Sequence, residues 1–381
     1  MSDAPKIEID INGEVLLPQA EALKLARQGS KVWNAWAESL DAQKVRVEFS
    51  GYDFTNDQID FSHFIFPGVV EFSTCQFSNA NFTDAIFSGG PAIFIKAKFF
   101  GKSTSFKRAQ FSGGDAFFIN AEFCDGDVGF GNAIFSGGDA LFQTARFEFG
   151  AYFHEAEFKH DAIFSIVNFE HVVVFKDAIF SCVPDFRYSN IKVHFSLHGM
   201  IIDFSSELED IYFRGAWWKK VTDRDIADKL RRLKELAGLA KDHEREQEFF
   251  ALELQAKRFH ETTHFWSLVL SVFYQFFSDF GRSFLRPLGL LSFIWAFWGF
   301  GFALFSGLNF ATLLAGLRLS GAVIMPFSAT VSAAFESTKS VLYPNLGKLN
   351  LLFDGIVIIE GLLSLTCVFL IGLALRNRFR I

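Results

Sequence analysis

The sequence predicts a mainly β protein: a four-sided β-solenoid, then an α-helical linker, then a transmembrane helical hairpin. Three observations carry this. Phenylalanines recur from Phe72 to Phe186 in steps of five and seven residues, the later ones in steps of five and six. The tripeptide Ser-Gly-Gly follows Phe87, Phe111 and Phe135, at a spacing of 24 residues. Two nearly uncharged apolar runs, 287–307 and 349–375, lie near the end of the chain. A helix needs an apolar period near 3.6 and a strand a period near 2, and the Phe steps fit neither. They fit a chain that turns a corner every few residues, closes one coil in four faces and stacks coil upon coil about 4.8 Å apart.

Two positions before most of these phenylalanines stands a small or β-branched residue, among them Ala85, Ala92, Ala97, Thr104, Ala109, Ala116 and Val128. One large and one small side chain per face would fill the interior at core density and leave no tunnel. The Ser-Gly-Gly triplets then stack at one corner, where glycine suits backbone angles that a side chain would forbid. These units resemble the pentapeptide repeat proteins, with consensus Ala-(Asp/Asn)-Leu-x-x, in a variant with Phe at the central position. The resemblance covers close to half of the chain and implies a right-handed quadrilateral β-helix over residues 47–215.

The chain has 381 residues, enough for two or three domains. Its aromatic content of 17% is accounted for by the Phe ladder. A net charge of −7 argues against a general nucleic-acid binder. Cys75, Cys124, Cys182 and Cys367 are too scattered for a disulfide framework or a zinc site. Cys75 falls on an inward small-residue position, so it reads as core. The outside of the rod reads as mixed polar residues, such as Lys96, Lys107, Asp115 and Glu157.

Residues 1–46 read as an N-terminal cap. Ile7 to Leu16 alternates weakly around an Asn12-Gly13 turn signal, and Ala20 to Arg27 is a short helix ending before Gly29. The segment from Gly29 to Trp36 resembles the Gly-x-x-x-Trp-Asn-x-Trp segment that often precedes pentapeptide rods. A solenoid end exposes unpaired backbone and an apolar cross-section, so Trp33 and Trp36 are expected to cover it. Trp217 and Trp218 are expected to do the same at the other end.

Residues 216–284 form the linker. Ile226, Leu230, Leu233 and Leu236 have helical spacing, and a second helix is expected from about His243 to His264. Dense, balanced charge suggests a solvated helical hairpin. The segments starting at Asp242 and at Ser278 resemble the linker of membrane-bound members of the family.

Residues 285–381 read as the membrane domain. The runs 287–307 and 349–375 are each long enough to span a bilayer. Arg282 and Arg286 precede the first, and Arg376, Arg378 and Arg380 follow the second, which places the rod and the C-terminus in the cytoplasm. Residues 309–348 between them are expected to be re-entrant or interfacial, because a third span would put the terminal arginines outside. A short segment between two spans resembles the pore-helix arrangement of two-span channels. The potassium-filter motif is absent from this stretch, so potassium selectivity is not supported. Arg318, Asp354 and Glu360 are the candidate functional residues, as ionisable groups in membrane segments. The structural alternative places Asp354 in the headgroup layer and pairs Glu360 with Arg318.

His260-Glu261-x-x-His264 matches the zinc-protease motif, whose histidines share one helix face. Against metal binding, the helix is juxtamembrane, no nearby third ligand follows, and the bundle is small. No catalytic residue, metal or cofactor is therefore expected. The sequence reads as a non-enzymatic, membrane-anchored scaffold of bacterial type, in the inner membrane. Its expected partners are the lipid bilayer, an unidentified protein on the β-helix surface and a second copy of itself, with no nucleic acid. The alternatives are an oligomeric ion-channel-like protein, a membrane zinc protease, and the DNA mimicry known in soluble members of the family.

Overall fold

The computed structural model describes residues 6–9, 15–40, 45–57, 59–191, 194–324, 329–343 and 350–379. The chain divides into two compact units, Met1–Glu261 and Thr262–Ile381. The Asn12-Gly13 turn lies outside the described residues, but the strands flanking it, Glu8–Ile9 and Val15–Leu17, pair antiparallel.

The first unit is a four-sided parallel β-solenoid of about seven turns. Equivalent residues of successive coils stand in register. One face stacks Val70, Ala92, Ala116, Ala140 and Ala162. A second stacks Phe54, Phe77, Phe99, Phe123, Phe147 and Phe169. A third carries Phe66, Phe87, Phe111, Phe135, Phe158 and Phe180. The steps of five and seven therefore do place one Phe of each coil above the matching Phe of the next. Their rings stack nearly parallel at the coil spacing, as in Phe111–Phe135 at 4.7 Å and Phe106–Phe130 at 4.9 Å. Rings on adjacent columns meet edge to face, as in Phe118–Phe130 at 5.5 Å. The small residues two positions earlier are buried between them, and Cys75 is buried too, its thiol donating to Phe49 O.

The corners depart from expectation. The glycines of the Ser-Gly-Gly triplets do not have positive φ. They are required by close approach instead. A Cβ on Gly89 would lie 1.6 Å from Pro67 O, and one on Gly137 would lie 2.4 Å from Gly114 N. Left-handed backbone occurs at other corners and on residues with side chains, including Lys96, Arg108, Asn120 and Asn132.

Two helices close the first end. α1 (Gln19–Ala26) buries Ala22, Leu23, Leu25 and Ala26. α2 (Ser30–Glu38) inserts Trp33, fully buried, against Phe49, Phe64 and Phe66. Trp33 Nε1 donates to Ile65 O at 2.8 Å. Asn34 donates to His63 O at 2.8 Å and accepts from Ile65 N at 2.9 Å. The Trp-Asn pair thus fills the apolar cross-section and satisfies backbone groups at the open coil end.

The other end is closed differently from the sequence expectation. Trp217 lies in a β-hairpin (Leu208–Phe213 with Ala216–Val221) and is 73% exposed, while Trp218 packs on Phe259. The plug is α3 (Ile226–Leu239), whose Ile226, Leu230, Leu233 and Leu236 join the Phe core. Arg187 bridges Asp185 and Asp225, and Arg232 donates to Ser189 O at 2.6 Å, fastening α3 to the last coil. The spacing of these apolar residues was readable, but the surface they cover was not. α4 (His243–Ala256) packs on α3 and is capped by Asp242, which accepts from Arg245 N. It ends at Ala256, eight residues short of His264, and Phe259 is left-handed.

The second unit is helical. α5 (Phe265–Ser278) is apolar but short. α6 (Leu285–Ser306) and α9 (Asn350–Arg378) are long and apolar enough to cross a membrane. The 22 residues of α6 rise about 33 Å, against an apolar layer of about 30 Å. Between them, α7 (Phe310–Ile324) runs back along α6 and α8 (Ala329–Leu342) returns. Gly316 lies so close to α6 that a Cβ would meet Gly299 O at 2.2 Å. Ser306 donates to Leu342 O, and Tyr343 to Phe302 O, so α8 finishes where α6 finishes. With 15 residues, α7 reaches about 22 Å, short of a full crossing. At the opposite end, Asn377 donates to Gly281 O and Arg378 lies over the Phe284 ring. Arg282, Arg286, Arg376 and Arg378 are therefore gathered at one end of the helix pair.

Candidate functional site

Because the interior of the rod is filled by phenyl rings, the residues it offers to other molecules are those of its outer faces. Two faces differ sharply. On one, the outward residues Gln76, Lys98, Glu122, Arg146, Asn168 and Asn190 form a polar ladder, with Lys98–Glu122 at 3.2 Å and Arg146–Glu170 at 3.3 Å. On another, Ile93, Phe117, Leu141 and Ile163 stand in register, each only half-buried. The outer surface is therefore not uniformly mixed polar. The signal was in the sequence: each of these residues follows an inward alanine, Ala92, Ala116, Ala140 or Ala162.

The residues of the His260–His264 motif do not share a helix. They lie beyond the end of α4, in irregular backbone, so the helical spacing that would pair the histidines is not formed. His260 donates from Nε2 to Val221 O at 2.8 Å, and Glu261 lies 3.5 Å from Arg231. His264 opens α5, in the other unit. Among the described residues, no group of three or more His, Cys, Asp or Glu is placed to hold a metal ion. Burial pushes the Cys75 thiol up to about 12 and those of Cys124 and Cys182 up to about 11, so these thiols stay protonated and weakly nucleophilic at neutral pH.

The three candidate charges of the helical unit part company. Asp354 is exposed at the start of α9 and pairs with Lys339 at 3.2 Å. Arg318 is on the exposed side of α7. Glu360 is fully buried and accepts from Ser320, not Arg318. On α7, Arg318 and Ser320 are two positions apart and so face different directions, which is why the expected Arg318–Glu360 pair does not form.

One group escaped sequence reasoning. Glu253, on α4, has a side chain only 2% exposed and is held by Lys234 and Lys257 at 2.5 Å each and by Arg231 at 3.1 Å. Burial pushes its carboxyl up, the bonds from Lys234 and Lys257 pull it down, and the balance lies below the usual carboxylate value. It reads in sequence as one acid among many on a charged helix, and only the α3–α4 packing singles it out.

No family model matches the chain, and neither does any curated protein or solved structure. What the fold itself defines is the class: a four-sided β-solenoid joined to helices, two of them able by length and composition to cross a membrane.

Proposed function

We propose that this chain is a membrane-anchored scaffold of the pentapeptide repeat type, non-enzymatic, in a bacterial inner membrane, with the rod and the C-terminus in the cytoplasm. The observation that carries the reading is the ladder of Ile93, Phe117, Leu141 and Ile163, an apolar strip on the outside of a rod with no interior left to offer. Such a strip suits a protein partner. The cytoplasmic placement is supported by the four arginines gathered at one end of α6 and α9.

The test is site-specific photocrosslinking in cells. A photoreactive phenylalanine at Phe117 or Leu141 should give a discrete adduct, while one at Lys98 or Arg146 on the polar face should not. Adducts of equal yield on both faces, or none at Phe117, would remove the ladder as a docking strip. Carbonate extraction of the membrane fraction tests the anchor: release into the supernatant would refute it.

A second reading, an oligomeric conduction pathway, draws on the returning α7–α8 pair. Ion flux through reconstituted full-length protein, altered by Glu360→Gln, would favour it over a passive anchor.

A further inference from the structure

Glu360 lies ten residues along α9 from Asn350, about 15 Å in and so near the middle of an apolar layer of about 30 Å. It has no exposure. The Ser320 hydroxyl donates to Oε1, while Oε2 is buried with no hydrogen-bond partner. One helical turn on, at i+4, Ser364 is 1% exposed, and its hydroxyl is likewise buried and partnerless. Two partnerless polar atoms thus share one buried face of one helix, beside the Ser320 hydroxyl from α7. Val323 of α7 lies against α9 beside it, at Gly361.

The titratable surroundings are sparse. On α9, Cys367 continues the same buried face, while Asp354, Arg376 and Arg378 stand near the ends. α7 contributes Arg318, on its exposed side, and α6 only Arg286, at its start. α5 contributes Tyr274, and α8 carries Glu336 and Lys339, the latter engaged by Asp354. Among the described residues, no cation is within ion-pair distance of Glu360.

We propose that Glu360, Ser320 and Ser364 form a proton-binding site within the membrane domain. The ligand is one proton, taken up by the carboxylate and released from the carboxylic acid, with no other bond made or broken. A buried carboxylate with a guanidinium beside it would stay ionised, and one in purely apolar surroundings would stay neutral. Here both flanking groups are hydroxyls, which can donate as well as accept. With the proton absent, Ser320 donates to Oε1, and Oε2 is left as an open acceptor, the atom free to take the proton. With it bound, the new O–H on Oε2 lacks an acceptor in this arrangement, and the nearest candidate on α9 is the partnerless Ser364 hydroxyl one turn on, reached by side-chain rotation. Neither state is fixed by a neighbouring cation, which is what reversible loading requires. The inference rests on the membrane insertion proposed above, and not on the scaffold role.

The experiment uses full-length protein in liposomes, treated with dicyclohexylcarbodiimide, which reaches carboxylic acids from the lipid phase, and read by peptide mass spectrometry. The expected result is an adduct on Glu360 and none on Asp354 or Glu336, falling about tenfold per pH unit once the site empties. Ser320→Ala removes the donor to the ionised form and should move the half-labelling pH upward. A purely packing role would leave it unmoved. Glu360 labelled equally at every pH would make it a fixed hydrogen-bond donor and overturn the proposal. So would protection by sodium but not choline, which would assign a metal cation. Protein that floats with the liposomes yet stays unlabelled at Glu360 refutes the proton site alone. Protein that does not float refutes the anchor beneath it.

Discussion

Phe130 is a direct probe of how the rod is held together. Its ring is fully buried, stacked on Phe106 at 4.9 Å and Phe153 at 4.8 Å, and meets Phe118 and Phe142 edge to face at 5.5 Å each. Phe195, near the last coil, makes ring contacts among the described residues with Phe175 at 5.9 Å and Phe186 at 5.7 Å, and stacks on neither. Removing a buried Phe costs about 3–5 kcal/mol, including the cavity left behind. Each aromatic pair contributes about 0.5–1.5 kcal/mol beyond its burial. Phe130→Ala, which loses two stacked neighbours, should fall near the top of that range at about 5 kcal/mol. Phe195→Ala should fall near the bottom at about 3 kcal/mol. The difference of about 2 kcal/mol is roughly a thirtyfold change in an opening equilibrium. A solenoid is nearly one-dimensional, so a central lesion breaks two coil interfaces and a terminal lesion breaks one. Native-state hydrogen exchange on the full-length protein in detergent reads this locally. Amides of Ile134–Phe135 and Glu157–Phe158 should lose protection in Phe130→Ala. Equal costs for the two variants, or a Phe130→Ala cost below about 1 kcal/mol, would refute the continuous ring column.

Two carboxylates of the first unit should give opposite pH signatures. The carboxyl of Glu253 is held below its ordinary value, so its stabilisation is full above the unfolded carboxylate pKa and is lost as pH falls through its folded one. Glu253→Gln should cost about 2–3 kcal/mol at neutral pH, less than the loss from a fully buried pair because Arg231 is 40% exposed. The cost should shrink in acid, as followed by urea unfolding. Asp139 is raised by burial and by its neighbours Asp161 and Asp115, so its ionisation weakens the fold as pH rises. Asp139→Asn keeps the acceptor for Asp161 N and should gain about 0.5 kcal/mol at neutral pH, with no gain in acid. In the second unit, Gly316→Val would drive a side chain into Gly299 O and should cost about 1–3 kcal/mol, whereas Gly355→Ala, with open space around it, should be nearly silent in a thermal melt.

The rod was legible because its information is local and repeated. Each coil meets only the coils before and after it, at a near-constant chain separation, so a ruler laid along the phenylalanines gives the fold, its filled interior and the small inward residues. The apolar runs gave α6 and α9 to within a few residues, because crossing an apolar layer requires length and composition and little else. The Trp33-Asn34 cap was readable in position, though its hydrogen bonds to His63 and Ile65 were not.

Where no period relates two segments, the sequence is silent, and packing alone decides. The spacing of Leu230, Leu233 and Leu236 showed an amphipathic helix, but an apolar stripe does not name the surface it will cover, and it closes the rod in place of Trp217. His260 and His264 matched a motif whose geometry exists only inside a helix, and α4 stops before them. Ser-Gly-Gly marked a corner, but the reason for its glycines is the backbone of the coil below, a neighbour one coil away in sequence that becomes a contact only on coiling. Glu360 was singled out as a charge in an apolar run. That its partner is the Ser320 hydroxyl rather than Arg318 depends on which face of α7 meets α9, a rotation about two helix axes that the order of residues does not encode.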